Sequence, residues 1–529
     1  GVTCLRSLTL PARLGTKGAE LLMATASDPA SSLRRSVYLL LSAAAVAIAV
    51  AKVVGAENVY EPSRYKPPTK DGYGLEPDRK WPPERPEPSP MFSSNDKSRW
   101  ATVRAIVDDG TFVIGKRVTP HPTDRTKKYD DQGIIAKGGG YETLDVVMNP
   151  DTHEFYSSKP PLMSVVIAGE YWLLKKVFKW DIVRDRWLIV PAILLTVNVI
   201  PFAVYLVLLA RLIETTGKSD FGRLLAFTAG CFGTFLTAFS GTLNNHLPAA
   251  FAVLFAVYPL LRAMAENRDL GSGGYLGCGF FAGLAVTLEL PAAAFLAGIG
   301  IPLLVARPRN TLLFFLPAAL VPIALLLLTN YIAIGQVVPA YAKFGGPWYE
   351  FEGSHWNKLK LPLGHPDRRG IDFAAETKDV YAFHLLFGHH GWFSLTPVWL
   401  IALCGLVALG IRSASDLKQL RGGKGSPWTP ALFAGMTLAV SAVVTGFYIR
   451  DTNNYGGFTS GPRWLFWLTP LWLLAIPPAA DRLAPSRWGR GLAAVLLGLS
   501  VLSVYYPAWN PWRPPWILQW MEYTGRLRY

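Results

Sequence analysis

The segment YSSKPPLMSVVIAGEYWLLKKVFKW, residues 156–180, decides the topology of this chain. Its apolar part is long enough to approach a membrane span but contains Glu170, Lys175 and Lys176. Laid in the membrane interface, it is followed by apolar runs at roughly 187–210, 222–243, 246–263, 275–289, 290–306, 311–334, 393–411, 428–449, 464–480 and 489–506. With a cytoplasmic amino terminus, the basic loops 211–223, 262–268, 307–309, 412–424 and 482–490 then all face the cytoplasm, as positive-inside sorting demands. Were 161–178 to span instead, every one of those loops would move outside. The segment therefore reads as an interfacial helix.

Adding the run 37–54 gives an all-α polytopic membrane protein of about eleven transmembrane helices, with interfacial helices in a large first extracytoplasmic loop. Composition agrees: 51% of the 529 residues are hydrophobic, 17% are charged and 18 are Trp. The net charge of +15 is scattered over short loops, which argues for a topology signal and against a nucleic-acid surface. RGGKGS at 421–426 lacks the spacing of a phosphate loop. The four cysteines show neither a CxxC pair nor zinc-ligand spacing, so no disulfide framework or zinc cage is expected.

In order, residues 1–36 read as a cytoplasmic segment, of which 1–22, ahead of Met23, read as an extension without a role. The run 37–54 behind Arg34 and Arg35 reads as a signal anchor, although AKVVGA leaves a cleaved signal peptide open. The extracytoplasmic loop covers 55–186, the polytopic body 187–506 and a tail 507–529. Nine prolines in 61–90 make an extended tether. It leads to SSNDKSRWATVRAIVDDGTFVI at 93–114, where Trp100, Val103, Ile106 and Val107 share a helical face. Asn95 is the expected cap and Gly110 the stop.

NDKSRWATVRAIVDDGTF, followed some 60 residues later by KPPL and then an all-helical body, resembles the C-type polyprenyl-phosphate-sugar glycosyltransferases. The similarity is to the branch of protein O-mannosyltransferases and the lipid A aminoarabinose transferase. GLAVTLELP at 283–291, FGHHGWFSLTP at 387–397 and YGGFTSGPRWLFWLTP at 455–470 are weaker matches. The resemblance implies an integral membrane enzyme of a bacterial inner or plasma membrane. It would transfer a sugar from a polyprenyl-phosphate donor to a hydroxyl or amine of a lipid, glycan or protein acceptor, with inversion, at the extracytoplasmic face.

By the same resemblance Asp96 is the catalytic base and Lys159 meets the donor phosphate, with Tyr156 and Arg463 as further donors. Two departures from the family pattern give the remaining substrate-binding candidates. GTLNNHLPAAF offers Asn245 and His246 where an acidic residue is usual, and Glu289 stands where a lysine is usual. Each has a plainer reading: Asp96 and Asn245 as helix caps, Lys159 as an interfacial snorkelling residue, Glu289 as a paired carboxylate. His389 and His390 of GHHG read as loop and interface residues rather than metal ligands. No cofactor is demanded, while a divalent metal is compatible with the family. A transporter or lipid-handling protein is the alternative, but no internal repeat with paired interrupted spans is visible. A catalytically silent homologue is the other, kept open by the missing second carboxylate.

Overall fold

The computed structural model describes residues 29–57, 88–124, 126–136, 140–363, 365–368, 370–418, 426–507, 510–527 and 529. The extension 1–22, most of the tether 61–90, the first two glycines of GGG at 138–140, and 421–425 of RGGKGS lie outside the described residues.

From the amino end, helix α1 (Pro29–Val54) is followed by α2 (Ser94–Arg104), a small sheet, and α3 (Pro161–Phe178). The body comprises α4 (Arg186–Thr216), α5 (Asp220–Phe232), α6 (His246–Ala265), α7 (Ser272–Leu288), α8 (Ala293–Ala306) and α9 (Pro308–Ile334). Beyond the loop that follows α9 come α10 (Lys378–Leu386), α11 (Trp399–Gly410), α12 (Pro430–Asp451), α13 (Ile476–Leu483), α14 (Arg487–Tyr505) and α15 (Trp516–Tyr523). Among the described residues six helices, α1, α4, α6, α9, α12 and α14, are long and apolar enough to cross a membrane, and α7, α8 and α11 are shorter apolar helices. The chain is therefore a predominantly helical, polytopic membrane protein.

Three of the eleven expected spans are not continuous helices; one, 393–411, is broken at 396–398 between a short helix at Trp392–Leu395 and α11. The run 222–243 is helical only to Phe232, after which 233–244 turns irregularly inside the protein. Its sequence explains this. Ser240 Oγ donates to the Thr237 carbonyl at 2.9 Å, Asn244 Nδ2 to the Phe239 and Thr242 carbonyls at 3.1 and 3.0 Å, and Asn198 Nδ2 to the Ser240 and Thr242 carbonyls at 2.8 and 2.9 Å. Short polar side chains thus take over the backbone ladder, and irregular backbone at membrane depth is tolerated where it is enclosed by protein. The run 464–480 is cut by Pro470, Pro477 and Pro478 into a 3-10 turn at Arg463–Leu468, a short helix at Thr469–Leu473, and α13.

The stretch between α2 and α3 holds an element not expected from sequence, a four-stranded antiparallel sheet of order β2-β1-β4-β3. Its strands are β1 (Gly115–Val118), β2 (Asp130–Gln132), β3 (Val146–Met148) and β4 (Glu154–Ser157), in register through Lys116↔Gln132, Gly115↔Phe155 and Val147↔Tyr156. Alternation along β4 turns Phe155 into the core against Phe351 and leaves Tyr156 beside Trp348. The Arg117 guanidinium grips both carboxylate oxygens of Asp131 at 2.7 Å and the Glu352 carbonyl at 2.6 Å, tying the sheet to the loop that follows α9.

Helix α1 packs on α5 through Tyr38 and Phe227, whose ring centres are 4.5 Å apart. At the same end the Arg34 guanidinium meets Glu214 at 2.6 and 2.7 Å and also pairs with Asp220. In α7, Gly279 and Gly283 let the helix lie directly on the backbone of α9; a Cβ at either would fall 2.1 Å from the Phe315 carbonyl or 2.2 Å from that of Ala319. Helix α3 contains Glu170, Lys175 and Lys176 and buries Ser164, Ile167, Ala168 and Tyr171. Its Trp172, Val177 and Phe178 are exposed.

Candidate active site

A cavity of about 1940 Å³ opens where the head of α2, the head of α6, the tail of α7, the start of α3 and the 450–463 loop meet. One part of its wall is apolar, with Leu162, Met163, Phe280, Leu284, Leu325 and Phe447. The other part carries Asn95, Arg99, Asp145, Lys159, Asn245, His246, Glu289 and Arg463.

Six of these groups form one hydrogen-bonded chain, and Lys159 and Asp145 form a separate pair. Arg99, one turn along α2, bonds Asn95 with Nη1 and donates Nη2 to Asn245 Oδ1 at 2.6 Å. Asn245 Nδ2 donates to Glu289 Oε1 at 2.7 Å, and His246 Nδ1 also pairs with Oε1. On its far side His246 Nε2 faces Arg463 Nη1 at 2.8 Å, and Arg463 Nε donates to the Gly456 carbonyl at 2.9 Å. A guanidinium has no acceptor, so Nε2 must be the bare nitrogen and Nδ1 must carry the proton donated to Glu289. Glu289 can reach this pair because α7 ends at Leu288 and Glu289 is extended (φ −137°, ψ 104°) before the turn at Pro291.

Lys159 enters from the turn between β4 and α3, where Pro160 is extended and Pro161 opens the helix. Its ammonium lies 2.7 Å from Asp145 Oδ1. Burial works to raise the Asp145 carboxyl, but Lys159, with Arg463 and Arg99 beyond, holds it below the usual range. Burial also draws Lys159 below its ordinary value despite that partner, and Arg99 down to about 10.

Asp96 is fully buried and is not part of the cavity wall. The cap of α2 is Ser93 rather than Asn95; Ser93 Oγ accepts the Asp96 N–H, which frees Asn95 for the cavity. The two Asp96 oxygens accept the backbone N–H groups of Phe92 at 2.9 Å and Leu243 at 3.2 Å, fastening the head of α2 to the irregular 233–244 segment. Burial pushes its carboxyl up to about 7, against the pull of those two N–H groups. Tyr156 is likewise off the main wall: its hydroxyl donates to Glu154 Oε2 at 3.0 Å.

Of the seven residues expected from sequence, the fold thus draws Lys159, Asn245, His246, Glu289 and Arg463 onto one cavity, with Asp96 directly behind it and Tyr156 on the sheet beside it. Arg99 and Asp145 were not anticipated. Arg99 was legible, being one turn from Asn95 on the same helix, whereas Asp145 sits in an irregular loop with no periodicity to mark it. Metal-type donors gather elsewhere, at Glu376, His384 and His389, off the cavity wall.

No family model and no curated protein matches the chain. Solved structures that it is similar to include the Archaeoglobus fulgidus oligosaccharyltransferase in complex with Zn and sulfate (12% identity, TM-score 0.43), of which the match covers 53% against 90% of this chain. The same archaeal enzyme, AglB, in complex with an inhibitory peptide and a dolichol-phosphate matches at 12% identity and TM-score 0.40, over 92% of this chain and 56% of the other. The chain thus spans little more than half the length of the archaeal protein. ArnT from Cupriavidus metallidurans bound to undecaprenyl phosphate is similar over 92% of this chain and 77% of its own, at 12% identity and TM-score 0.38.

Proposed function

We propose that this protein is an integral-membrane glycosyltransferase that moves a sugar from a polyprenyl-phosphate donor to an acceptor hydroxyl or amine at the extracytoplasmic face, with inversion. The observation that carries the reading is the division of one cavity into an apolar groove and a head bearing Arg99, Lys159 and Arg463. Arg99, Lys159 and Arg463 stand on the same stretch of wall as Asp145 and Glu289, with Arg368, Asp372 and Asp451 also on the lining, so a lipid phosphate at the head meets three cationic hydrogen-bond donors.

In this reading the prenyl chain lies along Leu162, Phe280, Leu284 and Phe447 and the phosphate meets Lys159 and the two guanidiniums. The acceptor oxygen or nitrogen attacks the anomeric carbon from the side opposite the phosphate. The new glycosidic bond forms as the bond from the anomeric carbon to phosphate oxygen breaks, and the phosphate leaves with the electron pair, stabilised by the cations. The acceptor proton passes to a carboxylate. Glu289, on the wall and oriented by His246 and Asn245, is the base in this proposal. Asp96, expected from sequence to be the base, instead holds the α2 head that presents Asn95 and Arg99.

Transfer of radiolabelled sugar from extracted polyprenyl-phosphate donors, in membranes carrying wild type, Glu289→Gln or Asp96→Asn, tests this. The expected result is transfer by wild type and its loss in a stably folded Glu289→Gln. Loss in a stably folded Asp96→Asn with activity retained by Glu289→Gln returns the base to Asp96. Absence of transfer by wild type across several donors overturns the enzyme reading.

A further inference from the structure

Off the cavity wall, the single stretch 376–389 brings a second group of ligating side chains together: Glu376 just before α10, His384 on α10, and His389 in the turn that follows. One donor atom from each lies within 4.8 Å of the others. The Glu376 oxygens are met by two phenols, Tyr529 at 2.5 Å and Tyr455, and by no Lys or Arg among the described residues. His389 Nε2 lies 2.6 Å from the same Tyr529 hydroxyl, and its Nδ1 lies 2.6 Å from His390 Nδ1. His384 is buried, stacks on His389 with ring centres 4.1 Å apart, and leaves its Nδ1 without a partner.

We propose that Glu376, His384 and His389 form a binding site for a divalent transition-metal ion, Zn2+ by donor type. Two imidazoles and one carboxylate are a set that suits Zn2+ and not Mg2+ or Ca2+, which take oxygen shells. Donors of a tetrahedral Zn2+ with bonds of about 2.0–2.1 Å stand on the order of 3.3 Å apart, so closing the site takes side-chain shifts of about an ångström. The Tyr529 hydroxyl, bridging Glu376 and His389, sits between two of the ligands and either moves aside or takes the fourth position.

The protons balance. Glu376 only accepts, so Tyr529 donates to it and its oxygen accepts the His389 Nε2 proton, which leaves His389 Nδ1 to accept from His390 Nδ1. Ligation through His389 Nε2 moves that proton to Nδ1 and the His390 proton to its Nε2, with none lost. A bound ion would fasten α10 to the GHHG turn and, through Glu376 and Tyr455, steady the loop whose Gly456 carbonyl receives Arg463.

The test uses the full chain in detergent, stripped with chelator and dialysed against Zn2+ or Mg2+, with metal content and Tm measured. One Zn2+ per chain, a Tm raised by Zn2+ and not by Mg2+, loss of the metal in His384→Ala and His389→Ala, and retention in Tyr529→Phe are expected. Co2+ substitution gives the visible absorption of a tetrahedral nitrogen and oxygen set in wild type, a readout that does not depend on how well the variants fold. No bound Zn2+ in wild type, or equal Zn2+ in wild type and both histidine variants, overturns the site. The outcome is independent of the transfer assay, so either proposal can fail alone.

Discussion

The decisive residues are polar groups whose partners are fixed by what they can donate. Asp96 accepts the backbone N–H groups of Phe92 and Leu243, so Asp96→Asn, which turns a donor toward one of them, is expected to cost about 1–3 kcal/mol. Urea or thermal unfolding in detergent reads this. The pH sense follows from the raised carboxyl. A buried Asp near 7 is more favourable protonated, so its contribution is full below about pH 4 and is lost as pH rises towards 7. Wild-type Tm should therefore fall between pH 5 and 8 more steeply than that of Asp96→Asn. For Lys159→Met, loss of a charge-assisted contact to the donor phosphate is expected to raise KM for the lipid donor roughly ten- to a hundredfold, from about 1.5–3 kcal/mol for a hydrogen bond to a charged group. A donor titration in the transfer assay measures it. Much of this scale was legible: His246, Glu289 and Arg463 stood out because charged or titratable groups beside apolar runs need partners. Which atom of each meets which was not legible, since residues 246, 289 and 463 are neighbours only after folding.

At the scale of elements, packing follows the smallest side chains. Gly283→Leu would drive a side chain into the α9 backbone at Ala319, and separation of α7 from α9 is expected to destabilise by about 3 kcal/mol and to narrow the cavity that both line. Thermal unfolding with and without polyprenyl phosphate measures both effects. The helices at 37–54, 187–210, 246–263, 311–334, 428–449 and 489–506 were readable because long apolar runs have one stable answer in a bilayer. The runs 222–243 and 464–480 were overread. Hydropathy counts a buried Thr/Ser turn or a proline-cut segment among leucines as span, although the backbone bonds there go to side chains. The small sheet was missed because strands of three and four residues leave no alternation long enough to read.

For the whole molecule, sidedness joins the loops to the cavity. Arg34 and the 211–223 loop, paired through Glu214, stand at one end, and the sheet is tied to the loop that follows α9, which also lines the cavity. On a cysteine-free background, Thr126→Cys is expected to react with an impermeant thiol reagent from outside intact cells, and Asn267→Cys only after the membrane is opened; both positions are exposed. Labelling of the reverse pair would invert the topology and move the cavity to the cytoplasmic face. By itself the sequence determined the helical membrane class, because bilayer solvation acts locally along the chain. Only the tertiary structure decided that Asp96 lies behind the wall while Glu289 lies on it, and that Glu376, His384 and His389 converge. Enclosure and convergence depend on what residues far away in the chain pack against each group, and no local pattern encodes that.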